Sequence, residues 1–328
     1  MVVLRLRKRA DAIHELECFE EARELEGALE RAVHLCPIFG SHTASIYDRR
    51  RVTVSTEDTP GTAAPPVESR RAGRELVLEV VFRPLSNLLV PVFARAGVTP
   101  TAVVLANAVS GLVAALALAR GEQLAAALLL QLKTLLDNAD GQLARVTGRV
   151  TLTGRYLDTE ADFVVNAAVF AALGHVTGKP LVAAVAFVAL TLVLAVDFNV
   201  TELYRGQRGL LAPSPARSGG SVERVLERIY AVSFAQLDRL VRTFSERRFA
   251  RIAFAETSPE RVQEARLAYI DGLAVNALAN LGLTTQLLLL GVCLALGVPE
   301  AYLWIAIASL VVLVPLQIRA DRRARAVF

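Results

Sequence analysis

The chain is poor in cysteine, lysine, methionine and tryptophan, and these scarcities narrow the classes to which it can belong. Its 328 residues include three cysteines, an odd number, which excludes a disulfide scaffold. Lysine occurs three times among 36 basic residues, and the other 33 are arginine. Because this bias accompanies abundant alanine and valine and a single methionine, it indicates a codon-composition effect. Arginine content alone therefore predicts no nucleic-acid partner.

Apolar residues, in contrast, are plentiful. They make up 54% of the chain against 21% charged residues, whereas a soluble domain is about 45% apolar. The charges concentrate in the N-terminal stretch, one internal stretch and the last ten residues. Residues 1–12 contain no apolar run of the length that a secretory signal needs, so we expect the N-terminus to stay in the cytosol.

Six stretches approach the roughly 20 apolar residues that a helix needs to cross a bilayer. Arginines concentrate in every second connection and after the last stretch, and the positive-inside rule places those segments in the cytosol. The sequence therefore predicts an all-α integral protein of the cytoplasmic membrane with six transmembrane helices and both termini in the cytosol. The predicted spans are 101–119, 122–137, 155–175, 180–203, 270–296 and 299–318.

The regions outside these spans differ in character. Residues 1–75 are near neutral and predict a small soluble cytosolic region of unknown role, with an interaction module that regulates or localises the protein as one hypothesis. Residues 76–328 form the predicted membrane domain. Residues 75–95 contain two prolines and predict interfacial segments. An insert over about 205–268 has 12 arginines against 7 acidic residues and helical apolar spacing. It predicts a basic amphipathic helix on the anionic leaflet, with a soluble helical hairpin as the alternative.

Histidines and cysteines in the N-terminal region raise the question of a zinc site. Their spacing fits no closed zinc module, so we favour the interpretation that they are unrelated polar and core residues and not zinc ligands. The residues are His14, Cys18, His34, Cys36 and His42.

Four aspartates lie near the predicted cytosolic ends of two spans. Asp137 and Asp140 are three residues apart, and Asp158 and Asp162 are four apart, so each pair shares one face of a helix. Four carboxylates in one pocket repel each other unless they are protonated or neutralised. Mg²⁺ or Mn²⁺ would neutralise them, and two ions suit phosphoryl chemistry. Simple pairing with nearby arginines is the alternative, and the motif spacing decides against it.

That spacing reads D-x2-D-G-x2-A-R-x8-G-x3-D-x3-D from Asp137 to Asp162. It resembles the signature of the CDP-alcohol phosphatidyltransferase family at every fixed position. The resemblance covers roughly residues 80–320 and leaves out 1–75. It implies six transmembrane helices, an active site that faces the cytosol, and a homodimer.

The resemblance also implies roles for single residues. Asp137, Asp140 and Asp158 would bind two Mg²⁺ or Mn²⁺ ions, and Asp162 would approach one ion and act as general base on the acceptor hydroxyl. The cytidine diphosphate of the donor would be held by Gly141, Ala144 and Arg145, with a hydroxyl from Thr151.

The implied reaction transfers a phosphate-linked alcohol group from a CDP-alcohol to a second alcohol and releases CMP. The favoured donor is CDP-diacylglycerol and the favoured acceptor a small polar alcohol, which places the enzyme among membrane lipids in phospholipid biosynthesis. The alternative is a soluble CDP-polyol donor of the CDP-inositol type, used to make a phosphodiester solute. An ion-coupled transporter is disfavoured, because the acids lie at one end of the spans and no internal repeat is present.

Roles for several polar residues near the motif stay open at this level. Lys133 lies one turn before Asp137 and could contact the acceptor or balance the acids. Asp197, Asn199 and Glu202 could bind the acceptor, pair with Arg205 or face water.

Overall fold

The computed structural model describes residues 73–210, 220–254 and 258–328, which fold into eleven helices without a β-strand. The predicted N-terminal region lies outside these residues apart from its last three positions, and so do the histidines and cysteines considered for zinc. A π-helical turn over Leu78–Phe82 leads into the first helix. The helices are α1 (Arg83–Arg95), α2 (Pro100–Ala119), α3 (Gln123–Val146), α4 (Leu152–Thr177), α5 (Pro180–Gln207), α6 (Ser221–Ser233), α7 (Ala235–Ile252), α8 (Pro259–Tyr269), α9 (Gly272–Ala279), α10 (Leu283–Ala295) and α11 (Pro299–Arg325).

Local sequence explains where the long helices begin and end. The Thr99 hydroxyl accepts a hydrogen bond from the Ala102 amide at 3.3 Å, and Pro100 occupies the first position of α2. Proline suits that position, because the first amides of a helix have no partner within it. Gly178 closes α4 with φ of 65°, a conformation that glycine adopts without strain. These signals produce short turns between long helices.

The core lies between α2, α3, α4, α5, α10 and α11. Its fully buried leucines include Leu118, Leu130, Leu173 and Leu290. Gly111 of α2 marks a close approach to α4, because a Cβ atom there would overlap the Val165 side chain. Small residues allow membrane helices to pack this closely. The close packing of α2 on α3 and α4 brings together the ends that carry the aspartates.

Large apolar side chains also cover much of the outer surface. Val109 on α2, Leu181 on α5 and Val311 on α11 are each more than half exposed. A surface of this kind is unusual for a soluble protein. Among the described residues, four segments are long and apolar enough to cross a membrane, which indicates an integral membrane protein. They are Pro100–Ala119, Pro180–Gln207, Pro259–Ala295 and Pro299–Arg325.

Two of the six predicted spans are not among these four segments. They correspond to α3 and α4, which have 24 and 26 residues but include the four aspartates. The acids and Lys133 lower the apolar character of these helices. Six spans, and an interfacial position for the amphipathic helices, therefore stay predictions.

The predicted insert folds into α6, α7 and α8, which attach to the long helices by polar contacts. Arg248 on α7 binds both carboxylate oxygens of Asp321 on α11, with nitrogen–oxygen distances of 2.7–3.1 Å. Thr153 on α4 donates to Glu223 on α6 at 3.2 Å. The insert thereby lies against the helix that carries Asp158 and Asp162.

Candidate metal centre

Three of the four predicted aspartates meet in space. Asp137 comes from the last turns of α3, and Asp158 and Asp162 come from the first half of α4. One carboxylate oxygen from each lies within 4.8 Å of the others, close enough for a shared cation. Asp140, one turn beyond Asp137 on α3, is 6% exposed and lies outside this group of three. The predicted set is thus divided into a triad and one neighbour.

The chemistry of these side chains fits a divalent cation. In the described part of the chain, Asp140 Oδ2 and Asp158 Oδ1 are buried and have no hydrogen-bond partner. A buried acceptor without a partner costs about 1–3 kcal/mol, and more if it is charged. Mg²⁺ and Mn²⁺ prefer oxygen ligands of this kind. The residues present therefore suit such an ion, whose identity the geometry leaves open.

Two neighbouring side chains hold the carboxylates in position. The Lys133 ammonium is fully buried and lies 2.6 Å from Asp162 Oδ1 and 4.0 Å from Asp137 Oδ1. The Asn107 amide, on α2, donates to Asp137 Oδ1 at 3.0 Å. Of the two roles considered for Lys133, its position corresponds to charge balance. One ammonium among four carboxylates leaves an excess of three negative charges if all are ionised, which favours a divalent cation.

The residues predicted to hold the nucleotide lie beside the acids. Gly141, Ala144 and Arg145 occupy the last turns of α3, directly after Asp140. A Cβ atom at Gly141 would have Arg145 Nη1 as its nearest neighbour, at 3.5 Å, so the surface at Gly141 is open. An exposed guanidinium beside an open helix surface suits phosphate oxygens. Binding of the nucleotide there stays a prediction.

Thr151 directly precedes α4 and caps it. Its hydroxyl oxygen accepts a hydrogen bond from the Gly154 amide at 3.1 Å. A Cβ atom at Gly154 would lie 3.1 Å from that oxygen, tighter than most such contacts. The motif glycine therefore lets the threonine cap the helix that carries Asp158 and Asp162. The hydroxyl hydrogen stays able to donate to a ligand.

A cavity of about 390 Å³ lies beside Asp158 and Asp162. It is bordered by α4 and α5, by α6 and the start of α7, and by Leu283. Tyr230 of α6 donates to Asp238 at 2.9 Å, and burial together with this bond raises the pKa of its phenol to about 12. The tyrosine therefore keeps its proton at neutral pH.

The other polar residues singled out on α5 differ in their contacts. Asn199 is fully buried, donates to Asp238 at 2.8 Å and accepts from Arg242 at 2.8 Å. Glu202 pairs with Arg205 at 3.3 Å, one of the alternatives considered. Asp197 Oδ1 is buried and has no partner among the described residues. An acceptor role for these positions gains no support from their contacts.

Sequence reasoning missed Asn107, Tyr230 and Asp238. Asn107 did carry a signal, because it is an amide within an otherwise apolar predicted span. Tyr230 and Asp238 carried none, because the contact of Tyr230 with α4 and that of Asp238 with α5 depend on how the insert folds back.

Residues 97–221 match the model of the CDP-alcohol phosphatidyltransferase family. The matched range begins just before α2 and ends at the first residue of α6, and it contains the whole aspartate motif. No curated protein and no solved structure matches the chain. The family predicted from the motif is confirmed: the chain carries a CDP-alcohol phosphatidyltransferase domain, which indicates a transferase.

Proposed function

We propose that the protein transfers the phosphate-linked alcohol group of a CDP-alcohol to the hydroxyl of a second alcohol and releases CMP. The observation that carries this proposal is the meeting of Asp137, Asp158 and Asp162 within 4.8 Å, next to unpartnered carboxylate oxygens. The proposed donor is CDP-diacylglycerol, and the favoured acceptor is a small polar alcohol. The product is then a phospholipid.

The four aspartates have different roles in this reaction. Asp137, Asp140 and Asp158 would hold two divalent ions, Mg²⁺ or Mn²⁺, and Asp162 would approach the same site. When bound, these ions neutralise the diphosphate and the CMP leaving group. Asp162 takes the proton of the acceptor hydroxyl while the oxygen of that hydroxyl forms a bond to the β-phosphorus of the CDP-alcohol. The bond from that phosphorus to the CMP oxygen breaks, and CMP leaves with the electron pair.

Neighbouring residues orient the reacting groups. Lys133, which lies 2.6 Å from Asp162, holds that carboxylate in its position within the triad. Asn107 does the same for Asp137 at 3.0 Å. Gly141, Ala144 and Arg145 receive the cytidine diphosphate, and the Thr151 hydroxyl contributes a hydrogen bond to it.

The proposal includes a membrane arrangement with six spans. The 24 residues of α3 and the 26 of α4 extend about 36 and 39 Å, which exceeds the roughly 30 Å of a hydrocarbon core. The protein lies in the cytoplasmic membrane. The aspartate ends of both helices and both chain termini are on its cytosolic side. The protein acts as a homodimer.

The insert lies against the anionic leaflet in this arrangement. Val222, Val225 and Ile229 on α6 are 45–62% exposed and form one apolar stripe, at intervals of three and four residues. Exposed Arg224 and Arg228 lie on the same helix. Apolar and basic residues together are typical of a helix in the membrane interface.

CMP release by the purified full-length protein tests the reaction. CDP-diacylglycerol and CDP-inositol are supplied separately with Mg²⁺ and a panel of acceptors, including glycerol 3-phosphate, inositol phosphate and serine. We expect release that depends on acceptor and metal with the lipid donor. Productive use of CDP-inositol instead would replace CDP-diacylglycerol with a soluble donor.

Two variants show whether the aspartates carry the activity. Asp162→Asn should lower kcat by about 10²–10⁴-fold, the usual contribution of a general base. Glu160→Gln is the matched control, because Glu160 is on the same helix but two residues away and so on another face. Equal activity of Asp162→Asn and the wild type, or failure of the folded protein to bind CDP and metal, would contradict the proposal.

A further inference from the structure

Part of the wall of the cavity beside Asp158 and Asp162 comes from outside the matched domain. The family match ends at residue 221, where α6 begins. Tyr230, Phe234 and Asp238, which line the cavity, follow that point. The insert therefore adds a wall to the proposed active site that the aspartate motif does not encode.

Aromatic contacts join this wall to the catalytic helix. Tyr230 lies 5.2 Å from Tyr156, two residues before Asp158, as measured between ring centroids. Phe234 packs edge-on against Phe163, the residue after Asp162, at 5.3 Å. Because both contacts lie next to the proposed catalytic carboxylates, the position of the insert sets the width of the cavity there.

The polar groups of the insert wall bond to protein partners. Tyr230 donates to Asp238 Oδ2, and Asn199 donates to Asp238 Oδ1. With both oxygens engaged, the wall presents mainly the rings of Tyr230 and Phe234 to the cavity. Further apolar lining comes from α5 and α10, through Phe187, Leu190, Leu194, Ala195, Phe198 and Leu283.

Helix α4 supplies polar lining to the same cavity. Asp158, Asp162 and Asn166 of α4 contribute there. The described lining includes no residue of α3, the helix that carries the proposed nucleotide site. A ligand here would therefore meet both the carboxylates of α4 and the apolar rings of the insert. A volume near 390 Å³ with a mostly apolar wall is within the usual range for a small-molecule site.

We propose that Tyr230 and Phe234 are specificity-determining residues that pack against a hydrocarbon group carried by a substrate next to the reacting phosphate. The proposal rests on the proposed function and requires that one of the two substrates carries an apolar chain or ring. That group belongs either to the lipid donor or to the acceptor, and both supply the same chemistry at this wall.

Photolabelling tests the position of the hydrocarbon without requiring turnover. The full-length protein is illuminated with CDP-diacylglycerol that carries a diazirine on one acyl chain, and separately with an alkyl alcohol that carries the same group. We expect labelled peptides from α4 or α6. Labelling by the first probe assigns the cavity to the donor, and labelling by the second assigns it to the acceptor. Absence of label from both helices with both probes overturns the inference, whether or not CMP is released.

Kinetics then test the side chain of Phe234. Phe234→Ala widens the cavity and Phe234→Trp narrows it, so their preferences for long over short chains should change in opposite directions, each by about tenfold. Phe254→Ala is the matched control, because Phe254 is 91% exposed and does not line the cavity. An equal loss of activity with all chain lengths would show a purely structural role and refute the inference.

Discussion

The Lys133 ammonium, on α3, lies 2.6 Å from Asp162 Oδ1, on α4, and its side chain is completely buried. A buried lysine is tolerated when a carboxylate pairs with it. The space for it depends on Gly111 of α2, where a Cβ atom would lie 3.2 Å from Lys133 Cδ. Three helices thus cooperate to place one positive charge within the acidic cluster.

Replacement of Lys133 by methionine should destabilise the metal-free protein. The change leaves Asp162 without its ion-pair partner, and such losses cost about 3–5 kcal/mol. Because the cluster becomes more negative, Mg²⁺ should raise the unfolding temperature more in the variant than in the wild type. Thermal unfolding in detergent, with EDTA or Mg²⁺, measures both effects. Lys179→Met is the control, since its pair with Glu300 is partly exposed. Unchanged metal-free stability would contradict the assigned role.

Replacement of Asn107 by leucine should weaken metal binding. The variant loses the 3.0 Å hydrogen bond that positions Asp137, and residues that orient metal ligands typically contribute 10–100-fold in affinity. Titration of Mg²⁺, followed by thermal unfolding, gives the affinity without a turnover assay. Asn138→Leu is the control, because that amide donates to the Thr134 carbonyl instead. An equal midpoint of the Mg²⁺ titration in both variants would show that Asn107 does not support metal binding.

Replacement of Gly141 by alanine should separate stability from donor binding. The nearest neighbour of the new Cβ atom is Arg145 Nη1 at 3.5 Å, so the fold accommodates it, and alanine favours a helix by about 1 kcal/mol over glycine. The unfolding temperature should therefore stay the same or rise, while the KM for the CDP-alcohol increases. Gly111→Ala is a contrasting control, because its Cβ atom overlaps Val165 and should lower stability. An unchanged KM in Gly141→Ala would place the nucleotide elsewhere.

Removal of divalent ions should destabilise the protein through the same aspartates. Buried carboxylates that lack a cation repel each other and lack hydrogen-bond partners, as Asp158 Oδ1 does among the described residues. EDTA should lower the unfolding temperature, and Mg²⁺ or Mn²⁺ should restore it. In Asp158→Asn, with one charge fewer, the response to the metal should shrink. A metal response of wild-type size in that variant would exclude Asp158 as a ligand.

Much of this protein follows from the sequence alone, because the decisive signals are local. Apolar runs and their breaks predict an all-helical membrane protein, and the motif from Asp137 to Asp162 spans just two helix ends and a short turn. Helical periodicity is sufficient to place each aspartate pair on one face, and three of the four acids do meet. The family assigned from that spacing is confirmed by the match over residues 97–221.

The tertiary structure decided what depends on residues far apart in the chain. It pairs Lys133 with Asp162, where the sequence left two roles open, and it brings Asn107 to Asp137. It also folds the insert back so that Phe234 meets Phe163. Local periodicity carries no information about such partners, because the packing of whole helices selects them. The absence of a side chain at Gly111, or an aromatic ring between two helices, affects the structure only where those helices are in contact.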